Sequence, residues 1–343
     1  MNFGLIARSN AGVLVQSRVS PIPLAALLLT FALGMTGVLA SFATKFVFTA
    51  LPNIVVLLAA AVAMDVVSRL APQWRVLEAL RTVAYGLLYL VTTILCGIVA
   101  AYAMQRFAFP LQDAFLARAD LALGLNWPDF AHWLDRHLSI QRLLEFAYHT
   151  ISIQIALPLV VLAFARRLED VRVYLLAFAI AFVVTIFVSA LMPAAGPIVF
   201  VDRESFAILK FTGATPLDHL ARLRAAGPLV FTDPAGGIAT FPSFHATVAV
   251  LTPLTLRRHH RTFVVLLVLD AAMLAGTVTE GAHYYVDVLA GAGVAFFAHA
   301  LARRIAAAEG VSRQPGQRAA RSEAIGPAPA PVAAGAPGRL LLN

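Results

Sequence analysis

Long apolar runs constrain the fold of this chain more than any other feature of its sequence. Crossing about 30 Å of hydrocarbon takes roughly 20 apolar residues in a helix. Runs of about that length lie near 22–43, 52–68, 82–105, 147–166, 171–192, 242–257, 262–279 and 283–303. Charged residues make up only 13% of the chain, against roughly 25% in soluble domains. The sequence therefore predicts an all-α, polytopic integral membrane helix bundle with about six to eight transmembrane helices.

Two internal segments and the C-terminal end are not predicted to span. Residues 106–146 mix apolar and charged positions at helical spacing and contain Trp127 and Trp133, so amphipathic helices in the membrane interface are expected. Residues 194–240 are rich in Gly and Pro and are predicted to form a long loop. Residues 306–343 have low complexity and are predicted to form a disordered tail.

The distribution of basic residues predicts the orientation in the membrane. With the N-terminus inside, 17 of the 26 Lys and Arg residues fall in cytoplasmic segments, which are mostly short. Both termini are therefore predicted to be cytoplasmic, in what is expected to be a bacterial inner (plasma) membrane. The net charge of +8 fits this asymmetry, and no basic stripe with interleaved aromatics indicates a nucleic-acid partner. The single Cys96 excludes an intrachain disulfide and is read as a packing residue.

In this orientation, four polar residues converge at the outer ends of two predicted helices. Ser243 and His245 stand in "GGIATFPSFHATVAVLTP", and His283 and Asp287 stand in "EGAHYYVDVLAG". The spacing of four places the second pair on one helical face, where the carboxylate can orient the imidazole. Pro242 suits a helix start, whose free N–H groups bind anions. Two imidazoles beside an anion cradle predict phosphoryl transfer through a phosphohistidine.

Each of these residues also has a structural interpretation. Ser243 could be only a helix N-cap, an interfacial His could be only solvated, and a His–Asp pair could be only structural. Two His and an Asp could also form a metal site, but no third imidazole or Cys lies nearby in the sequence. Their convergence on one membrane face favours a catalytic site. Tyr148, His149 and Gln154 open the 147–166 run on that face and are expected to line the site.

The motifs "PSFHA" and "HYYVD" resemble those of the type 2 phosphatidic acid phosphatase superfamily. More narrowly, the chain is similar to the branch containing inositol phosphorylceramide synthases. The stretches "LGLNWPDFAHWL" and "MPAAGP" extend this resemblance over about residues 85–305. The resemblance implies that His283 is the nucleophile, that Asp287 orients it, and that His245 protonates the leaving group. From their positions, Ser243, which adds a hydroxyl donor to the anion cradle, and Tyr148 are expected to contact the substrate.

The chain departs from the superfamily where phosphate-binding cations are expected. The Lys-x6-Arg-Pro motif is missing, and Gly276-Thr277 stands where Ser-Arg is usual. Compensating charge is therefore expected from the 194–240 loop, with Arg203 the favoured substrate-binding residue. Lys210, Arg222 and Arg224 are the other candidates.

These patterns predict a membrane enzyme whose substrate is a lipid phosphate. Residues 1–81 are assigned to N-terminal transmembrane helices and residues 82–305 to a catalytic phosphatase- or phosphotransferase-like domain. Water or a polar alcohol such as inositol would accept the phosphoryl group, and no metal or other cofactor is implied. The alternative is a transporter or scaffold that retains the fold. Transport would be favoured by repeated halves and broken helices at mid-membrane, and the sequence indicates neither.

Overall fold

The computed structural model of the protein is helical through most of its described length. It describes residues 44–46, 51–71, 73–202, 206, 220–225, 229–231, 238–280 and 283–324. Within these residues the strands are two three-residue segments, Thr44–Phe46 (β1) and Leu229–Phe231 (β2). They pair in parallel, with Thr44 opposite Leu229. The predicted all-α class is confirmed.

The described helices follow the predicted apolar runs, with added breaks. They are α1 (Leu51–Leu70), α2 (Arg75–Gln105), α3 (Asp113–Ala122), α4 (Trp127–Asp135), α5 (Leu138–His149), α6 (Ile151–Phe164), α7 (Leu168–Leu191), α8 (Phe244–Leu256), α9 (His260–Thr279) and α10 (Tyr285–Ala324). A single 3-10 turn, Pro197–Phe200, follows α7.

Four of these helices are long and apolar enough to cross a membrane. They are α2, α7, α9 and the Tyr285–Ala308 part of α10. The pair α5 and α6, bent by 51° at Thr150, gives a fifth if it forms one span. The apolar run near 22–43 lies outside the described residues. Several apolar helices identify a polytopic membrane protein, while the predicted count of six to eight is not confirmed by the described part of the chain.

The segment between α2 and α6 is helical, as predicted, and one of its two tryptophans is buried inside the protein. Gly124, with φ 73°, ends α3 and turns the chain into α4. Trp127 is 3% exposed and donates its Nε1–H to the Val278 carbonyl oxygen at 2.7 Å. Trp133 is 39% exposed. The indole of Trp127 is therefore packed inside the protein, with its N–H bonded at the end of α9.

Two contacts join α8, α9 and α5 into one layer beside the predicted site. Thr252 of α8 donates its hydroxyl to Asp270 Oδ2 of α9 at 3.1 Å. Gly276 of α9 packs against α5 so closely that a Cβ there would lie 2.7 Å from the Leu144 carbonyl oxygen. The C-terminal end of α9 is therefore held directly against α5.

The chain divides into two compact units, residues 1–303 and residues 304–343. In the second unit the backbone of α10 is helical as far as Ala324, where the sequence predicted a disordered tail from residue 306. Residues 325–343 lie outside the described part. The domain boundaries at 81 and 305 stay a prediction.

Candidate active site

Ser243 is the N-cap of α8. Its Oγ accepts a hydrogen bond from the Ala246 N–H at 3.3 Å, and its side chain is fully buried. Phe244 is the first helical residue, so Pro242 precedes the helix and does not occupy its first position. The backbone N–H of Ser243 donates to the Asp287 carbonyl oxygen at 3.0 Å. Ser243 therefore caps one helix and bonds to another, and its contact with a substrate stays a prediction.

His283 and Asp287 form a buried hydrogen-bonded pair at the start of α10. His283 Nδ1 lies 3.2 Å from Asp287 Oδ2, and the two residues are 5% and 0% exposed. His283 itself precedes the first helical residue, Tyr285, so the pair is closed by the turn that enters the helix. The Tyr284 N–H donates to the same Oδ2 at 2.9 Å, as a side chain at the third helical position often accepts from the N-cap. An ionised Asp287 only accepts, which places the ring proton of His283 on Nδ1 and leaves Nε2 basic.

Direct backbone contact brings the starts of α8 and α10 together. Thr247 of α8 donates its hydroxyl to the Gly291 carbonyl oxygen at 3.0 Å, one turn along α10 from the bond between Ser243 and Asp287. A Cβ on Gly291 would lie 2.3 Å from the Ser243 carbonyl oxygen. Only glycine permits this approach. It places the helix start that carries His245 beside the helix start that follows His283.

The half-buried His245 ring is held by an aromatic stack. Its centroid lies 4.1 Å from that of Tyr148, with 13° between the ring planes, and His149 meets Tyr148 edge-on at 5.4 Å. Tyr148 is thus beside the predicted acid, and its contact with a substrate stays a prediction. Gln154 is fully buried and donates to Thr150 Oγ1 at 2.8 Å, so its amide is engaged inside the bundle.

Two further acidic residues, which sequence reasoning missed, contact the His283 motif from α3. Asp113 accepts hydrogen bonds from the Ala195 and Gly196 N–H groups and from the Tyr284 hydroxyl. Asp120 accepts from the N–H groups of Tyr285 and Val286. The signal that could have found them is their spacing of seven, which places two carboxylates on one face of an amphipathic helix.

Of the four candidate cations, the described residues include two. Arg203 and Lys210 lie outside the described part of the chain. Arg224 donates to the Phe109 carbonyl oxygen at 2.8 Å, and burial lowers its pKa while the charge of Asp113 opposes that shift. Arg222 is exposed. The role of these residues in phosphate binding stays a prediction. Within the described ranges, no group of three or more His, Cys, Asp or Glu is arranged to hold a metal ion.

Glu280 places a buried carboxyl three residues before His283. It is 2% exposed, and its N–H donates to the Gly276 carbonyl oxygen at 2.7 Å at the end of α9. Burial, and secondarily the negative charge of Glu145, raises the pKa of Glu280 to about 7. The carboxyl therefore titrates near neutral pH.

The stability of the protein is expected to fall as Glu280 ionises. Its pKa in the folded state is about 7, above the ordinary value of 4.5. The stabilisation linked to its protonation is therefore fully present below pH 4.5 and lost as pH rises through 7. Glu280→Gln should reduce the change in the free energy of unfolding over this pH range by about 1–3 kcal/mol. The change is followed as the shift of the thermal midpoint in detergent between pH 4.5 and 8. An unchanged pH profile in Glu280→Gln would contradict the assignment, and Glu169→Gln at the other end of the bundle is the control.

Comparison with known proteins identifies the family of this chain. Residues 114–301, more than half of its 343 residues, match the PAP2 superfamily. No curated protein and no solved structure matches the chain. The matched range begins in α3 and contains both "PSFHA" and "HYYVD". It suggests a phosphatase- or phosphotransferase-type enzyme, and the narrower inositol phosphorylceramide synthase branch is not confirmed. The chain belongs to the PAP2 superfamily.

Proposed function

We propose that this protein cleaves or transfers the phosphate-bearing headgroup of a membrane lipid through a phosphohistidine on His283, without a metal ion. The observation that carries the proposal is the buried pair of His283 Nδ1 and Asp287 Oδ2, 3.2 Å apart. This pair lies at the start of a helix that is hydrogen-bonded to the start of the helix carrying His245. A nucleophile, its orienting carboxylate and a second imidazole are the parts that covalent phosphoryl transfer needs.

In the first step, His283 Nε2 attacks the phosphorus atom of the bound lipid. An N–P bond forms, the bond from phosphorus to the leaving oxygen breaks, and His245 donates a proton to that oxygen. Asp287 stabilises the positive charge on His283 through the hydrogen bond at Nδ1. The stack on Tyr148 holds the His245 ring in a fixed plane.

In the second step, an acceptor hydroxyl attacks the phosphohistidine. His245 takes the hydroxyl proton, an O–P bond forms, and the N–P bond to His283 breaks. Water gives hydrolysis, and an alcohol gives transfer. The "LGLNWPDFAHWL" and "MPAAGP" stretches resemble the inositol phosphorylceramide synthase branch, which supports a polar alcohol such as inositol as the acceptor. Arg203 is proposed to bind the phosphate, and Ser243 and Tyr148 to contact the substrate.

One structural feature favours a second candidate function. The 51° bend between α5 and α6 is a broken span or a re-entrant loop, and it lies next to Tyr148. Broken helices beside a polar site occur in transporters. A transporter that retains the fold would move a phosphorylated lipid across the membrane and leave its headgroup unchanged.

Incubation of the purified protein with lipid phosphates separates these functions. Phosphatidic acid and a phosphoinositol lipid are supplied in mixed micelles, with and without free inositol or diacylglycerol, and the products are identified by mass spectrometry. Free phosphate indicates hydrolysis, and a new headgroup on the added acceptor indicates transfer. Intact substrates in every mixture, together with movement of a labelled lipid in proteoliposomes, would favour transport and refute the enzyme.

The site is proposed to face away from the cytoplasm. The basic loops at 166–172 and 257–261 stand at the opposite helix ends from Ser243 and His283, and basic loops face the cytoplasm. In a Cys96→Ala background, Ala221→Cys should react with an impermeant thiol reagent applied to intact cells. Arg258→Cys should react only after permeabilisation. The reverse pattern would place the site on the cytoplasmic face.

A further inference from the structure

We infer that the interfacial helix α3 belongs to the catalytic machinery, through two positioning residues, Asp113 and Asp120. The inference rests on the proposed function, because it concerns the placement of His283. The inference goes beyond the proposed function because it assigns a role to α3, a helix whose sequence indicates only an amphipathic surface element.

Asp120 fixes the first turn of α10. Its Oδ2 accepts from the Tyr285 N–H and its Oδ1 from the Val286 N–H, both at 2.9 Å. These are the first two residues of the helix, whose N–H groups have no partner inside it. Asp120 is 2% exposed, so water cannot reach these two N–H groups in place of its carboxylate. The carboxylate thus holds the turn between His283 and Asp287 from a position 165 residues away along the chain.

Asp113 fixes the residue next to the nucleophile. The Tyr284 hydroxyl donates to Asp113 Oδ1 at 3.0 Å, and both residues are buried. The same carboxylate accepts from the N–H groups of Ala195 and Gly196, at 3.0 and 2.9 Å from Oδ1. Gly196 has φ 94°, a backbone conformation that favours glycine. Asp113 therefore ties the His283 motif to the "MPAAGP" segment.

Anchoring alone does not account for two buried carboxylates. An interfacial helix is held to the bilayer by its apolar face, and burying a charge is costly unless it is fully hydrogen-bonded. Burial raises the pKa of Asp120, while the bonds from Val286 and Tyr285 oppose that shift. The partners of both side chains lie in the His283 motif or in "MPAAGP". These contacts therefore stabilise the positions of the residues around His283.

Two conservative variants test the inference. Asp120→Asn retains one acceptor oxygen for two N–H donors, and Tyr284→Phe removes only the hydroxyl that meets Asp113. Each should lower kcat by about 10–100-fold with little change in KM, because His283 is displaced while the phosphate contacts are retained. The rate of phosphoenzyme formation, measured by rapid quench, should fall by the same factor.

Matched controls separate positioning from general stability. Tyr174→Phe also removes a buried hydroxyl, one that donates to the Ile155 carbonyl oxygen at 2.6 Å and so joins α7 to α6. It should lower the thermal midpoint without lowering kcat. Asp129→Asn neutralises an exposed carboxylate on α4 that accepts from Asn126, and it should leave kcat unchanged.

A double variant provides the decisive result. If Asp120 acts by placing the His283–Asp287 pair, Asp120→Asn should add little to the loss already caused by Asp287→Asn. Fully additive losses, or wild-type kcat in both Asp120→Asn and Tyr284→Phe, would overturn the inference. If the inference fails in this way, the proposed function still stands provided that the wild type is active and His283→Ala is not. A wild type inactive on every lipid phosphate would instead refute the proposed function itself. If Asp120→Asn does not fold, Tyr284→Phe decides alone.

Discussion

His283→Ala is expected to abolish the covalent phosphoenzyme and to lower kcat by several orders of magnitude. Asp287 lies 3.2 Å from Nδ1 and leaves Nε2 of this ring as the basic atom of the pair. Removing a nucleophile removes the covalent pathway altogether, so the loss should be among the largest that a single substitution causes. The measurement is labelling with a radioactive lipid phosphate, quenched with detergent at alkaline pH, followed by peptide mapping of the alkali-stable, acid-labile phosphohistidine.

His245→Ala is the matched comparison, because it removes an imidazole of different proposed role. It should still form the phosphoenzyme from a nitrophenyl phosphate, whose leaving group needs no proton. With a lipid phosphate it should form little. Phosphate mapped to His245 would reverse the two roles, and full activity in both Ala variants would show that this site is not catalytic.

Gly291→Ala is expected to lower kcat by about 100-fold while the protein stays folded. The added Cβ would lie 2.3 Å from the Ser243 carbonyl oxygen and 3.0 Å from the Ala246 Cβ. An ordinary contact needs at least 3.4 Å, so the starts of α8 and α10 must separate by about 1 Å. A misplacement of this size can cost on the order of 100-fold in rate. The separation also weakens the bonds from Ser243 to Asp287 and from Thr247 to Gly291.

Gly293→Ala supplies the control on the same helix. No atom lies within 4 Å of a Cβ built on Gly293. Alanine favours helix by about 1 kcal/mol over glycine, so this variant should be at least as stable as the wild type and fully active. Equal activity of the two Ala variants would show that the close approach at Gly291 does not control the site.

Local patterns in the sequence were enough for the class of the protein and for the centre of the candidate site. Apolar runs predict membrane helices, because the length of a helix across a bilayer depends only on its own residues. The contact between His283 and Asp287 is local in the same sense, since four residues separate the two side chains. The motifs around His245 and His283 also led to the superfamily that the comparison identifies.

Short-range reasoning was less reliable at helix ends. The predicted run 147–166 is divided in the structure into the end of α5 and the shorter α6, with a 51° bend between the helices. Nothing local in the sequence indicated that the Trp127 indole is buried and hydrogen-bonded to the Val278 carbonyl oxygen. The Trp127 bond depends on a neighbour that is 151 positions away in the sequence.

Sequence alone thus determined that this is a polytopic membrane protein with a histidine–aspartate pair beside a second histidine. The tertiary structure decided which residues fix the positions of these three side chains. Asp113 meets Tyr284 across 171 positions, and Asp120 meets Tyr285 across 165. The close approach of Gly291 to Ser243 joins two helices through backbone atoms. The partners of these residues cannot be read from local spacing, because a buried carboxylate or a glycine has its role only through the atoms that the fold brings against it.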